Sequence, residues 1–171
     1  MTFFNASRGL RIPGTDFEYM TEGAYGLIFL DRKFRRIRKV YKRRLDTDEA
    51  HCLAVFESER EAFELAARAP KVCTLIPEYF GESRAGTIIG SGGNDVTDEV
   101  YPLLSFEAEF LDGSFDKIGT VIAEERNRIV SLFHAVGIRH MTDASVRVTN
   151  QAIDKVIDFA VREIELEAQP L

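Results

Sequence analysis

The stretch that decides the fold runs from residue 17 to residue 43 and reads FEYMTEGAYGLIFLDRKFRRIRKVYKR. β-branched and aromatic residues are concentrated in three short segments of it. A glycine-containing turn separates the first two segments, and a polar turn precedes the third. Short apolar segments joined by such turns are typical of antiparallel strands, so this stretch predicts a three-stranded meander.

The next segment, HCLAVFESEREAFELAARA at residues 51–69, consists of helix-favouring residues and stops at Pro70. At about 100° per residue, one helix face collects Cys52, Phe56, Phe63, Ala66 and Ala67. Glu59 lies on the same face, and a carboxylate directed at a core needs a partner. Two interpretations stay open: Glu59 reaches solvent at the edge of the face, or it pairs with a basic residue of the preceding strand.

Later segments predict the rest of an α+β fold. Further strands are expected in TLIPEYFGE (74–82), GTIIG (86–90) and VYPLLSFEAEFLDG (100–113), and a short buried strand in KVIDFA (155–160). A helix is expected over residues 116–138. The prediction is a five-stranded antiparallel sheet with one helix, residues 52–68, followed by a short and mostly helical second part.

Bulk composition limits the classes of protein to consider. The chain has 171 residues, of which 45% are hydrophobic and 29% charged, so we expect one globular domain over 1–171. The net charge of -6 argues against general affinity for nucleic acid, although residues 32–44 are locally basic. No apolar run approaches the ~20 residues of a membrane span. Two cysteines without CxxC spacing indicate neither zinc nor a disulfide framework. We predict a soluble monomer with no membrane span.

The turn TEGAYGLI, residues 21–28, matches the second half of a glycine-rich phosphate loop. Its central residues are Gly23, Ala24, Tyr25 and Gly26. Glycines allow the backbone to approach phosphates closely and to expose its N–H donors. A turn that only joins two strands would explain the same sequence, so this second interpretation stays open.

Two lysines of the third segment are candidates for phosphate binding. Lys39 and Lys42 lie on opposite faces of a strand with a period of two. Lys39 shares its face with Ile37 and Tyr41, which favours an inward position. Lys39 is therefore the preferred phosphate lysine and the preferred partner of Glu59, with Lys42 as the runner-up.

The stretch HMTDASVRVTNQAIDKVIDFA, residues 140–160, places His140, Asp143, Asn150 and Asp158 between two apolar runs. Carboxylates at strand ends or loop mouths suit metal or phosphate chemistry. A solvated loop is the competing interpretation.

Taken in order, these motifs resemble the protein-kinase fold over residues 15–162. The resemblance implies an N-lobe over about 15–108, a hinge at 109–113 and a reduced C-lobe over 114–171. EAEFLDG looks like the hinge that receives adenine, with Ala108 as gatekeeper and the backbones of Glu109 and Leu111 as hydrogen-bonding partners.

The resemblance also implies roles for the polar residues. Asp143 would be the catalytic aspartate, supported by His140, while Lys39 paired with Glu59 would bind the phosphates of ATP. Asp158 and Asn150 would hold Mg²⁺. The chain departs from the family pattern at three points: two residues separate His140 from Asp143, six separate Asp143 from Asn150, and alanine follows Asp158-Phe159.

In length and in the layout of its end, the sequence resembles minimal bacterial type III effector kinases that phosphorylate the ninety-kilodalton heat-shock chaperone. The resemblance implies a serine/threonine-protein kinase that is secreted into the host cytoplasm and acts on a host protein. Three alternatives remain: a nucleotide-binding interaction module without turnover, a small-molecule phosphotransferase and, ranked last, a nucleic-acid-binding module.

Overall fold

A computed structural model describes residues 9–165, which form two compact units. The first unit contains residues 9–56, 80–110 and 165, and the second contains Glu57–Tyr79 and Leu111–Ile164. One boundary lies within the predicted hinge, between Phe110 and Leu111. The other falls inside a long helix, after Phe56. The described residues have an α+β fold with two α-helices.

The five-stranded antiparallel sheet predicted from the sequence is present. Its strands follow the spatial order β1-β2-β3-β5-β4 and are β1 Glu18–Glu22, β2 Gly26–Asp31, β3 Arg36–Lys42, β4 Tyr79–Glu82 and β5 Val100–Glu109. The predicted meander is confirmed as β1 to β3. The segment GTIIG is not a strand, because Ile89 forms only isolated bridges, to Arg11 and Asp95.

The first unit is organised by the alternation of side chains along its strands. One face of the sheet contributes to a buried cluster made of Leu10, Ile12, Phe17, Leu27, Phe29, Val40, Ala85, Ile88, Val96 and Val100. Neighbours of Val40 along β3 point to the opposite face. There Tyr41 is fully buried and meets the Phe56 ring edge-on at 5.4 Å, and Lys39 is half-buried.

The predicted first helix is confirmed as α1, Glu49–Arg68. Asp48 caps its start, because the Asp48 carboxylate accepts a hydrogen bond from the His51 backbone N–H at 2.8 Å. Four members of the predicted apolar face are buried: Cys52, Phe56, Phe63 and Ala66. Ala67 is exposed, contrary to the prediction, since it is turned by about 100° from Ala66.

The second unit corrects the expected mostly helical second part. Besides residues 57–68 of α1, it contains one α-helix, α2 Ala123–Ala135, and an antiparallel sheet of β6 Asp116–Lys117, β7 Ser145–Thr149 and β8 Ala152–Ile157, ordered β6-β7-β8. The predicted helix over 116–138 begins only at Ala123, because residues 116 and 117 pair with β7. Within the described residues, neither helix has the length and apolar character needed to cross a membrane.

An aromatic cluster forms part of the core of the second unit. Phe159 is 2% exposed, and its ring lies 4.9 Å from the ring of Phe63 on α1 and 5.3 Å from that of Phe133 on α2. Phe63 also stacks on Tyr79 at 5.0 Å. Phe159 therefore anchors the segment that directly follows the candidate metal residue Asp158.

Candidate functional site

The glycine turn joins β1 to β2 as a tight, hydrogen-bonded loop. The Gly23 N–H donates to the Gly26 carbonyl at 2.9 Å. The Ala24 carbonyl accepts a hydrogen bond from the Arg44 guanidinium at 2.8 Å, and the Tyr25 carbonyl accepts one from the backbone N–H of residue 42 at 2.9 Å. The carbonyls of the turn are thus directed toward the end of β3 and the residues after it.

Gly26 makes room for the side chain of Lys39. A Cβ atom added at Gly26 would lie 2.8 Å from Lys39 Cε and 2.9 Å from Lys39 Cγ. The Lys39 ammonium lies 5.1 Å from the centre of the Tyr41 ring, on the same face of β3. The runner-up Lys42 makes a hydrogen-bonded ion pair with Glu22 at 2.7 Å instead. The choice of Lys39 over Lys42 as the phosphate lysine stays a prediction.

The Tyr25 side chain ties the glycine turn to the first turn of α1. Its hydroxyl lies 2.9 Å from His51 Nε2, and the two rings stack with centroids 5.8 Å apart. The Arg44 guanidinium covers the Tyr25 ring at 4.6 Å and is itself paired with Asp46. Burial raises the pKa of the Tyr25 hydroxyl, and the Arg44 charge opposes that rise. Nothing in the local sequence pattern singles out His51 or Arg44.

The predicted hinge begins as a regular strand. Ala108 pairs with Ile37 of β3 and is 1% exposed, and Glu109 pairs with Arg36. Pairing continues one residue further, where the Phe110 N–H donates to the Arg35 carbonyl at 2.8 Å.

Leu111, the other predicted hinge residue, is half-buried and belongs to the second unit. The chain just beyond it is fixed by Arg147 of β7, which donates to the Asp112 carbonyl at 2.8 Å and forms a bidentate ion pair with Asp154 of β8. The hydrogen bonds from Arg147 hold the pKa of Asp154 below its usual range. A Cβ atom at Gly113 would lie 2.9 Å from Arg147 Cδ. Sequence reasoning did not find this anchor.

The Asp143 loop lies between α2 and β7. The Asp143 carboxylate is 77% exposed, and its Oδ2 atom lies 3.3 Å from His140 Nε2. Lys117 of β6 donates to the Asp143 backbone carbonyl at 2.9 Å. The predicted supporting position of His140 agrees with this contact.

Two backbone hydrogen bonds connect the Asp143 loop to the Asp158 segment. The His140 N–H donates to the Ala160 carbonyl at 3.0 Å, and the Ala160 N–H donates to the His140 carbonyl at 3.1 Å. Asp158 lies two residues before this bridge and Asp143 three residues after it. Asp158 is exposed and has a left-handed backbone, with φ of 59°. The bridge brings the segments that carry the two predicted aspartates together.

Helix α1 also holds the segment that follows Asp158. The Ser58 hydroxyl donates to the Arg162 carbonyl at 2.8 Å and accepts from the Arg162 N–H at 3.1 Å, and the Ser58 carbonyl accepts from the Val161 N–H. Ser58 is 1% exposed and directly precedes Glu59, which is half-buried. The segments that carry Glu59, Asp143 and Asp158 are therefore tied together within the second unit.

Asn150 lies away from the segments that carry Glu59, Asp143 and Asp158. The prediction that Asn150 and Asp158 bind one metal ion together is therefore wrong. Asn150 and Gln151 form the tip of the β7–β8 hairpin, both with positive φ. Cross-strand pairing puts Thr149 opposite Ala152 at the tip, but Ser145 opposite Ile157 at the other end. Five strand residues span about 16 Å. Asn150 and Asp158 are thus at opposite ends of the hairpin and cannot bind one ion.

The residues near Asp158 limit how a metal could be bound. Among residues 9–165, no group of three or more His, Cys, Asp or Glu side chains is arranged to hold a metal ion. Mg²⁺ commonly uses one or two carboxylates and completes its shell with water and substrate phosphates. The exposed Asp158 carboxylate fits that mode of binding, whereas the predicted pair with Asn150 does not.

Comparison with models of protein families, with curated proteins and with solved structures finds no match to this chain. The resemblance to protein kinases therefore stays a prediction from the sequence motifs.

Proposed function

We propose that this protein transfers the γ-phosphoryl group of Mg-ATP to a serine or threonine hydroxyl of a protein. The observation that carries the proposal is the pair of hydrogen bonds between His140 and Ala160. They place the loop of an exposed aspartate, Asp143, against the segment of a second exposed aspartate, Asp158. Phosphoryl transfer needs positioned groups that orient the acceptor and neutralise charge more than it needs covalent help.

Each aspartate has a role that suits its contacts. Asp143 is exposed and lies against His140, so its carboxylate is available to accept the proton of an incoming hydroxyl. Asp158 is held in place by its neighbours, Phe159 in the core and the bridge at Ala160. It is the residue that would hold Mg²⁺.

The first unit contributes groups suited to phosphate binding. The turn at 23–26 contains two glycines, and its first two residues, Gly23 and Ala24, are exposed, so a phosphate could approach the backbone there. Lys39 lies against Gly26 of that turn, and Lys42 is engaged by Glu22. Lys39 is therefore assigned to the nucleotide phosphates, and Ala108, Glu109 and Leu111 to the adenine.

The proposal is tested by transfer of γ-labelled phosphate from Mg-ATP to proteins of a eukaryotic lysate, with the wild type and Asp158→Asn in parallel. Asparagine tolerates a left-handed backbone, so the substitution removes the charge and leaves the chain path intact. We expect label on a discrete lysate protein with the wild type and a loss of about 100-fold or more with Asp158→Asn. Exposed Asp98 offers a matched control, and Asp98→Asn should retain activity.

Two further variants distinguish the role of Lys39 from that of Lys42. Lys39→Met should abolish transfer, whereas Lys42→Met should lower stability through loss of the Glu22 pair while retaining most of the transfer. Equal transfer by wild type and Asp158→Asn would refute the proposal. The ninety-kilodalton heat-shock chaperone, as purified protein, is the first acceptor to test.

Nucleotide binding without turnover is the second candidate function. The position of Asn150 at the hairpin tip favours it, because the predicted second metal ligand is then missing from the Asp158 end. A rise in melting temperature with Mg-ATP, combined with no label transfer to any lysate protein, would select this alternative over the kinase.

A further inference from the structure

Lys117 lies beside Asp143 although it is far from it in sequence. In the sheet, Lys117 pairs with Ser145, and the Ile118 N–H donates to the Ala144 carbonyl at 2.9 Å, so β6 runs alongside the residues that follow Asp143. The Lys117 side chain is exposed, and its ammonium donates to the Asp143 backbone carbonyl at 2.9 Å. The positively charged Lys117 ammonium is thereby held beside the backbone of Asp143, the candidate catalytic residue.

Several other basic side chains of the second unit either pair with carboxylates or donate to backbone carbonyls. Arg147 is paired with Asp154 and Arg128 with Glu125. Lys155 donates to the carbonyls of Thr74 and Ile76. The carbonyl that accepts from Lys117 is neutral, so this hydrogen bond does not neutralise the charge of the ammonium. An ammonium has three N–H donors, and this bond uses one of them.

We propose that Lys117 is a catalytic residue that binds the phosphoryl group during its transfer at Asp143. The inference rests on the proposed function and adds to it a residue that the sequence motifs do not contain. The acceptor hydroxyl oxygen forms a bond to the γ-phosphorus, and the bond from that phosphorus to the bridging oxygen of ATP breaks. The electron pair leaves with ADP, and the hydroxyl proton passes to the Asp143 carboxylate.

Lys117 stays protonated throughout this step. Its ammonium donates to an equatorial oxygen of the transferring group, where negative charge is spread in the transition state. The bond to the Asp143 carbonyl restrains the long side chain beforehand, so less conformational entropy is lost when phosphate binds. Lysine acts on phosphate as a point charge, so arginine should replace it only in part.

The kinetic test compares Lys117→Met, Lys117→Arg and the control Lys71→Met, which removes an exposed lysine elsewhere in the second unit. Loss of one donor to a charged transition state typically costs about 100-fold in kcat. We expect that loss for Lys117→Met, with KM for Mg-ATP changed by less than about threefold, and partial recovery for Lys117→Arg. Lys71→Met should match the wild type. Unchanged transfer by a folded Lys117→Met variant would overturn the proposal.

A second measurement tests whether Lys117 binds phosphate if the wild type transfers no label. Inorganic phosphate is titrated into ¹⁵N-labelled protein, and the amide signals of residues 140–146 are followed by NMR. Saturable binding that weakens about tenfold or more in Lys117→Met, but not in Lys71→Met, would retain Lys117 as a phosphate ligand while the kinase proposal fails. Absent binding, or binding that Lys117→Met leaves unchanged, would reject Lys117 as well.

Discussion

Asp158 has a left-handed backbone that its place in the fold does not require. Asn150 and Gln151 share that conformation at a hairpin tip, and Arg35 has it in the turn between β2 and β3, where turn geometry demands it. Asp158 follows a strand end, and a non-glycine residue there costs about 1 to 3 kcal/mol. The buried Phe159 and the His140–Ala160 bridge restrain the chain directly after Asp158.

Tyr25 is the residue at which the glycine turn can be tested without any ligand. Tyr25→Phe removes the hydroxyl that meets His51 and should cost about 1 kcal/mol in unfolding free energy. It should also accelerate amide hydrogen exchange at residues 23–26 several-fold, because the turn loses its attachment to α1.

Tyr19→Phe is the matched control for that measurement. Tyr19 lies on the adjacent strand of the same hairpin and packs its ring edge-on against Phe29 at 6.4 Å. Its exchange pattern at residues 23–26 should equal that of the wild type. Equal exchange in Tyr25→Phe would mean that the hydroxyl contact with His51 does not order the turn.

At the scale of elements, the β7–β8 hairpin organises the second unit. Arg147 on one strand and Asp154 on the other fix the chain at Asp112, within the predicted hinge. On β8, the Ile153 N–H donates to the Glu125 carboxylate at 2.7 Å, which attaches the hairpin to the first turn of α2. The hairpin therefore joins the hinge segment, the second helix and the Asp158 segment.

The Glu125 contact predicts a pH dependence of stability. The Arg128 hydrogen bond, aided by the Ile153 N–H, lowers the pKa of Glu125 from 4.5 to about 2. A carboxylate with a lowered folded-state pKa stabilises the fold above its unfolded pKa, and that stabilisation is lost as the pH falls from about 4.5 to about 2. Glu125→Gln should therefore destabilise the protein at pH 7 and reduce the acid-dependent loss.

Urea midpoints at pH 7, 4.5 and 3 measure this effect. Glu124→Gln, at the exposed neighbouring position in the same helical turn, serves as the control and should follow the wild type. If Glu125→Gln and wild type lost stability in parallel between pH 4.5 and pH 3, Glu125 would not be the titrating group.

At the scale of the whole molecule, stability depends on buried clusters that are built from distant parts of the chain. Phe159 touches Phe63 and Phe133, from both helices. Domains of this size are stable by about 5 to 15 kcal/mol, so one large cavity removes a substantial part of that margin.

Phe159→Ala should lower the free energy of unfolding by about 3 to 5 kcal/mol, since it leaves a cavity beside the rings of Phe63 and Phe133. Phe159→Leu keeps most of the volume and should cost about 1.5 kcal/mol or less. Urea unfolding followed by circular dichroism gives both values. Similar costs for the two variants would show that the cavity is not what matters at this position.

The sequence by itself determined the meander, helix α1 and the order of the motifs. Local alternation, helix propensity and glycine placement act over a few residues, so they can be read without the fold. The shared face of Lys39 and Tyr41 followed from the same periodicities, whereas the sequence left the environment of Glu59 open between solvent and an ion pair.

Only the tertiary structure decided which polar residues meet. The order of the motifs pointed to Asn150 despite its departing spacing, but the pairing of β7 with β8 places Asn150 at a hairpin tip. Ser58, Lys117 and Arg147 have no local signal, because their partners are 7 to 104 positions away in the chain. The register of the strands and the way the chain connects them bring such residues together. Both depend on the burial of the whole core, so short-range propensity cannot specify them.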